Sequence, residues 1–389
     1  MKYNFDEIIE RRNTGCVKWD EKPDSNIIPL WVADMDFAVA PAIQEAIKRR
    51  AQHPVFGYVH VGEDYYVAVI SWFQRRHQWR IKREWMLYTI GVVPAMSVAI
   101  KALTMPGEKV LILSPDYNCF FSSIKNNGCE VVESVLTPLT PHSPLHTPHF
   151  EVDWDDFVAQ CADEKTTVFL LCNPHNPTGR VWTSEELQRM ADICHQHHVR
   201  IVSDEIHCEL VMPGHTYVPM GTVDSDAIIL NSPSKSFNIA GLMMANIICQ
   251  DAETRRRLDR AININEVCDV NPFAPEAVKA AYNESEDWID ALNLYLWDNY
   301  LALCDFCEQH LPQWKVMSME GTYLVWVDVS ACCNDVAAYC DQILQQTGVW
   351  LNPGTMYGPQ SGEGYLRINI ACPRSRLLEA LERIKYNIG

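Results

Sequence analysis

One lysine, Lys235, follows a short apolar run, Ala227-Ile228-Ile229-Leu230, within the stretch NSPSKSFNIAGL. An ordinary lysine is a solvated surface charge, so its neighbours must say whether this one is different. Ser232 and Ser234 flank it, and hydroxyls together with turn amides suit a phosphate. Asp204 ends another apolar run, in VRIVSDEI, where a buried carboxylate needs a cationic partner or a ligand. The stretch GVVPAMSVAIKAL opens with Gly91 and reads as a helix start, with Pro94 in its first turn. Free amides at such a start bind anions. Tyr117 supplies an aromatic face, and Asn176, in NPHNPTG, a neutral amide. A lysine, an aspartate, a phosphate cradle, an aromatic plate and an amide together describe a site for pyridoxal 5'-phosphate. There the lysine forms a Schiff base with the aldehyde, and the aspartate keeps the ring nitrogen protonated so that the ring accepts electrons. No single residue carries that reading, and a structural ion pair competes for Asp204.

Elements must bring these residues together. From about residue 86 to 250, apolar runs of strand length alternate with helix-like stretches: KVLILS, TTVFLLCNP, VRIVSDEI and AIILNSPSK. Between the second and third, Thr183 and Glu186 have capping-box spacing, and Leu187, Met190, Ala191 and Cys194 fall on one apolar helical face. Near-continuous apolar strands separated by helices predict an α/β fold with a mostly parallel sheet covered on both faces. Ligands bind such sheets beyond the carboxyl ends of the strands. That rule groups residues 115–117, 173–179, 204–207 and 232–235 into one candidate site. The C-terminal part differs. GTYLVWVDV and GYLRINIA alternate like half-buried strands, and SRLLEALERIKYNI reads as a helix. This predicts a smaller α+β domain completed by the N-terminal segment. The proline-rich stretch PHSPLHTPHF, residues 141–150, is expected to be a surface loop.

Composition narrows the class. The 389 residues are 48% hydrophobic, enough for a large core and about two domains. A net charge of −18 disfavours nucleic-acid binding through a basic face. The start, MKYNFDEIIERR, lacks an apolar signal core, and no apolar run reaches the roughly 18 residues of a membrane helix. Fifteen scattered cysteines fit reduced thiols. The expectation is a soluble cytoplasmic protein that binds neither nucleic acid nor membrane.

NPHNPTG, SDEIH and SPSKSFNIAGL, in this order and spacing, resemble the fold-type I pyridoxal phosphate enzymes of the aminotransferase class. FDEIIERRNTGCVKWD, PLWVADMDF, HPVFGY and NPHNPTGRVWT are similar to one branch of them, the MalY/PatB-type cystathionine β-lyases or C–S lyases. The likeness runs from about Phe5 to the C-terminus. It implies a large domain over 45–285 with a mostly parallel seven-stranded sheet, and a small domain from 1–44 and 286–389. It also implies a homodimer with shared active sites. Lys235 would be the Schiff-base lysine, and Asp204 would pair with the ring nitrogen. Asn176 would hold the ring oxygen, and Tyr117 would stack on the ring. The Val92 and Val93 amides, with Ser232 and Ser234, would hold the phosphate. Tyr58, in HPVFGY, would reach the phosphate of the neighbouring subunit. Arg367, in YLRINI, would clamp the substrate carboxylate. His207 stands where many aminotransferases place a ring-contacting tyrosine, and Met243 where many carry a phosphate-binding arginine.

The resemblance implies α,β-elimination from cystathionine or a related sulfur amino acid, releasing thiol, pyruvate and ammonia. An aminotransferase on the same fold is the alternative, and a non-catalytic regulatory protein that keeps the cofactor is a third reading. For Arg367 a strand-edge surface arginine competes, and for Tyr58 a turn-packing aromatic. His207 is either a ring contact or a more distant neighbour. Trp31, in WVADMDF, either walls the pocket or packs the small domain. No metal is expected. His195, His197 and His198 read as a helix end, His142, His146 and His149 as part of the proline-rich loop, and neither group has evident acidic partners. Cys304 and Cys307, in CDFC, read as a helical, partly buried pair.

Overall fold

The computed structural model describes residues 3–139 and 148–388. Seven strands form the main sheet: β1 (Met86–Thr89), β2 (Lys109–Ser114), β3 (Glu130–Val135), β4 (Thr166–Cys172), β5 (Arg200–Asp204), β6 (Ile228–Asn231) and β7 (Ala245–Ile248). Their spatial order is β1-β7-β6-β5-β4-β2-β3. All neighbours pair in parallel except β7, which runs antiparallel to both β6 and β1. The mostly parallel α/β sheet expected from the apolar runs is therefore present.

The side-chain period of two divides each strand between two apolar layers. Val110 and Ile112 of β2, Val168 and Leu170 of β4, and Ile228 and Leu230 of β6 join one cluster. It also contains residues of the helices α3 (Val92–Leu103), α4 (Asn118–Asn126) and α6 (Ala252–Ile264). Leu111, Leu113, Phe169, Leu171 and Ile229 face the other way, into a cluster with α1 (Pro41–Ala51), α2 (Glu63–His77), α5 (Ser184–Gln196) and α7 (Ala274–Glu284). Helices on both faces explain why these strands read as continuous apolar runs rather than alternating ones. Helix α5 has the capping box read from Thr183 and Glu186. Its Leu187, Met190, Ala191 and Cys194 are all buried.

A second sheet contains β8 (Lys315–Val316), β9 (Leu324–Asp328), β10 (Asn352–Pro353) and β11 (Tyr365–Asn369), in the order β8-β9-β11-β10 and antiparallel throughout. The two strands expected there, β9 and β11, are present, but they are not half-exposed: Leu324, Val325, Trp326 and Val327 are all buried. Trp326 stacks on Tyr365 with ring centres 5.5 Å apart and meets Tyr357 edge-on at 5.6 Å, so aromatic side chains cover the face that alternation assigned to solvent. The N-terminal segment does pack against this part of the chain. Ile28 and Pro29 pair with Val349 and Trp350, the Asp36 amide donates to Ala371, and Phe5 packs edge-on against Phe37 and Trp288.

The predicted helix SRLLEALERIKYNI is observed as Arg374–Ile388. Of the proline-rich stretch, residues 141–147 lie outside the described residues, including His142 and His146. Its end is a strand rather than a loop: His149–Glu151 pairs with Thr137–Leu139, which lets Phe150 turn inward against Tyr365. Cys304 and Cys307 lie on one long helix, Glu286–His310, as a half-buried and a buried residue, and all fifteen cysteines are free thiols.

Candidate active site

The carboxyl ends of β4, β5 and β6 open into a cavity of about 220 Å³. Seven of the residues predicted from sequence line it: Val92, Val93, Tyr117, Asn176, Asp204, His207 and Lys235, and an eighth, Ser234, joins them. The strand-end rule works because each strand stops where its backbone turns away, leaving the last side chain and the next turn facing the same space.

Lys235 lies in the turn after β6, and its Nζ donates to the Ala33 carbonyl at 2.6 Å. Burial pushes its amine below the ordinary lysine range; the Asp34 carboxylate opposes this, and the Arg367 guanidinium reinforces it. Asp204, the last residue of β5, is buried, and its carboxyl is pushed up to about 7, first by burial and then by the negative charges of Asp116 and Glu205. The Ile206 amide donates to its Oδ1 at 3.1 Å and offsets part of that rise. The His207 ring is driven down to about 3 by burial and by the charges of Lys235 and Arg367. It is therefore a neutral imidazole near neutral pH, and its buried Nδ1 has no hydrogen-bond partner among the described residues.

At the other side of the cavity, α3 begins at Val92, and its N-cap residue, Gly91, has no side chain to cap it. Gly91 precedes it at φ 151° and ψ 166°, a conformation close to glycine-only. The amides of the first turn lack intrahelical acceptors, which leaves them free to bind an anion. Ser234 stands nearby. Ser232 does not line this cavity, because its Oγ donates to the Met244 carbonyl at 2.7 Å and accepts from the Ser234 amide at 3.1 Å. That hydroxyl shapes the turn and is turned away from the cradle. Tyr117 occupies the N-cap of α4, and burial pushes its phenol far up, so it stays neutral.

Arg367 is not a surface arginine. It is buried on β11, with Nη1 donating to Asn176 Oδ1 at 3.1 Å, Nη2 to the Trp31 carbonyl at 2.7 Å, and its guanidinium 4.6 Å from the Tyr357 ring centre. Its Nε is buried without a partner among the described residues. Tyr58 is 94% exposed and lies outside the cavity.

These features fit pyridoxal 5'-phosphate. Asp204 is a buried acid whose anion lacks a full counter-charge, as expected of a carboxylate meant to face a protonated ring nitrogen. The uncapped helix start suits the phosphate. Lys235, with an amine held below the ordinary range, suits the aldehyde.

The sequence profile of the aminotransferase class I and II family matches residues 25–384. The chain belongs to that family. "Cystathionine beta-lyase PatB" of Bacillus subtilis is 37% identical to it, covering 98% of this chain and 99% of PatB. "Protein MalY" of Escherichia coli is 34% identical, covering 96% of each. The crystal structure of a pyridoxal phosphate-bound C–S lyase from Staphylococcus hominis superposes with a TM-score of 0.88 at 34% identity, covering 98% of both chains.

In this class I and II family member, residue types alone did not reveal the role of the strap at residues 31–34. Its carbonyls are used in turn: Trp31 O by Arg367 and Asn352, Val32 O by Asn369, and Ala33 O by Lys235 and Tyr323. Trp31 itself stacks on Trp350 with centres 4.4 Å apart. Main-chain acceptors leave no mark on residue type, so only the resemblance placed this stretch near the site. Cys172, at the end of β4, also lines the cavity, and the strand-end rule could have found it.

Proposed function

We propose that the protein is a pyridoxal 5'-phosphate-dependent C–S β-lyase that cleaves L-cystathionine or a related sulfur amino acid to thiol, pyruvate and ammonia. The observation that carries this is the pairing, in one cavity, of the depressed Lys235 amine with the buried Asp204 carboxyl. The relatives' names supply the choice of reaction within the family.

Bound pyridoxal 5'-phosphate supplies an aldehyde that captures amines and a ring that draws electrons from the substrate Cα. Asp204 holds the proton on the ring nitrogen. The Val92 and Val93 amides, with Ser234, would hold the phosphate, and Tyr117 would pack against the ring. Asn176 and the neutral His207 offer polar contacts that do not add charge. Arg367 holds the substrate carboxylate, fixing the amino acid with its Cα hydrogen towards Lys235. The Lys235 amine, uncharged more readily than an ordinary lysine, takes that proton. The Cβ–S bond then breaks, the thiolate leaves and gains a proton, and one water is consumed overall to give pyruvate and ammonia.

We further infer a large domain over 45–285 and a small domain from the flanking segments. Ser285 supports that boundary, since it is the break between α7 and the long helix after it. We infer a homodimer in which Tyr58 completes the partner's phosphate site. Val55 (63% exposed), Phe56 (54%) and Tyr58 form one outward apolar segment that a second copy would cover. Fifteen free thiols support a reducing, cytoplasmic setting. Among the described residues, no helix is long and apolar enough to cross a membrane.

The test is purified, cofactor-loaded protein with L-cystathionine and no added 2-oxo acid. Pyruvate, ammonia and free thiol should appear in equal amounts. Turnover that strictly requires a 2-oxo acid would assign an aminotransferase instead, and full loading without turnover would favour a regulatory role. Lys235→Ala should lose both the visible-edge absorbance of the loaded protein and the activity.

A further inference from the structure

His195 is one residue from the end of α5, and its Nε2 lies 3.1 Å from Asp224 Oδ2. Asp224 and Asp226 belong to the turn that leads into β6. One potential ligand atom from each of His195, Asp224 and Asp226 lies within 4.8 Å of the others. The sequence set a metal aside for want of acidic partners near these histidines. The fold supplies two, from a segment about thirty positions away in the chain.

The arrangement is more than a patch of surface acids. Asp224 is only 4% exposed, and its two oxygens have separate tasks. Oδ1 accepts from the Asp226 amide at 2.8 Å, which fixes the carboxylate, and Oδ2 faces the imidazole. The three side chains share a depression of about 330 Å³ with His198, Val199, Arg200 and Ile201. Arg200 directs its Nη2 to the Asp226 main-chain carbonyl at 3.2 Å and towards Thr254 Oγ1 at 3.5 Å. Four-coordinate zinc, with ligands at ~2.0–2.1 Å, separates neighbouring ligand atoms by about 3.3 Å. The His195–Asp224 spacing is already close to that, and the exposed Asp226 can turn to complete it. An imidazole with two carboxylates suits a borderline transition ion rather than magnesium or calcium. The depression borders the start of β5, whereas Asp204 ends that strand, so this site is separate from the cofactor cavity.

We propose that His195, Asp224 and Asp226 bind one divalent transition-metal ion of the zinc type, with water or His198 in the fourth position. The ion ties the last turn of α5 to the turn before β6 and stabilises the folded chain by binding it selectively.

The experiment uses the cofactor-loaded protein after chelator treatment and dialysis, titrated with Co²⁺ as spectroscopic probe and with Zn²⁺. One Co²⁺ per chain should bind with visible bands of nitrogen and oxygen ligation and no sulfur charge-transfer band. Zn²⁺ should displace it and raise the melting temperature. His195→Gln and Asp226→Asn should each lose the one-equivalent step and the melting shift while keeping the untreated protein's β-elimination rate. The proposal is overturned if the wild type takes up no stoichiometric ion, if the bound Co²⁺ shows thiolate bands, or if both variants bind as the wild type does.

Discussion

At the scale of single residues, the site is a set of ionisable groups held away from their ordinary charge states by burial. Asp204 and Glu205 are both pushed up to about 7, chiefly by desolvation. A carboxyl raised in the fold stabilises it fully below its unfolded value, and that contribution is lost as pH rises through the folded value. The cofactor-free protein should therefore lose stability between about pH 4 and 7. His207 acts in the opposite direction. Its ring, ordinarily near 6.5 and driven to about 3, favours the fold above its unfolded value, and that contribution fades as pH falls towards 3. Asp204→Asn should remove one of the two acid steps, so the melting temperature of the cofactor-free variant should fall less between pH 5 and 8 than that of the wild type. Cofactor should recover stability at pH 8 in the wild type and much less in the variant. Equal pH slopes in the two cofactor-free proteins would show that Asp204 is not the strained acid.

At the scale of elements, the proposed phosphate site rests on one helix start and one turn. Gly91 is the position on which that start depends, because φ 151° is strained for any residue with a Cβ. Space is not the limit: a Cβ there would meet Pro94 Cδ at 3.5 Å, an ordinary contact. Gly91→Ala should thus fold but shift the Val92 and Val93 amides. Cofactor titration followed by absorbance should show affinity lowered by about tenfold, from a strain of order 1–3 kcal/mol. Unchanged cofactor affinity would remove the helix start from the phosphate site. The apolar periodicity of α5 and its capping box were legible beforehand because both are local patterns. The burial of β9 was not, because the aromatic cover from Tyr357 and Tyr365 comes from residues distant in the chain.

At the scale of the whole molecule, the N-terminal segment crosses from the small sheet to Lys235. Arg11 bridges Asp34 and Asp36 at 2.7 Å each, and the fully buried Lys18 lies 3.1 Å from Asp36. This ion network holds the strap whose Ala33 carbonyl receives Lys235. The homodimer reading makes a prediction of its own at this scale. Lys235→Ala and Tyr58→Ala homodimers should each be impaired, the first abolished and the second weakened in cofactor affinity. Mixed dimers should regain one intact site, with activity approaching half that of the wild type per mixed dimer. No recovery on mixing, with exchange verified by mass, would place Tyr58 outside the partner's site.

By itself, the sequence determined the alternation of apolar strands and helices, and with it the sheet and the strand ends where Asp204, Asn176 and Lys235 had to converge. Those features follow from short-range periodicity and from the tendency of such sheets to bind ligands beyond the carboxyl ends of their strands. Only the tertiary structure decided that Ser232 turns its hydroxyl to Met244, that Arg367 is buried against Asn176, that the Ala33 carbonyl meets Lys235, and that His195 finds Asp224. Each of these joins segments far apart in the chain through a main-chain carbonyl or a single polar atom. Such contacts are set by how the elements pack in space, and residue type and spacing do not record them.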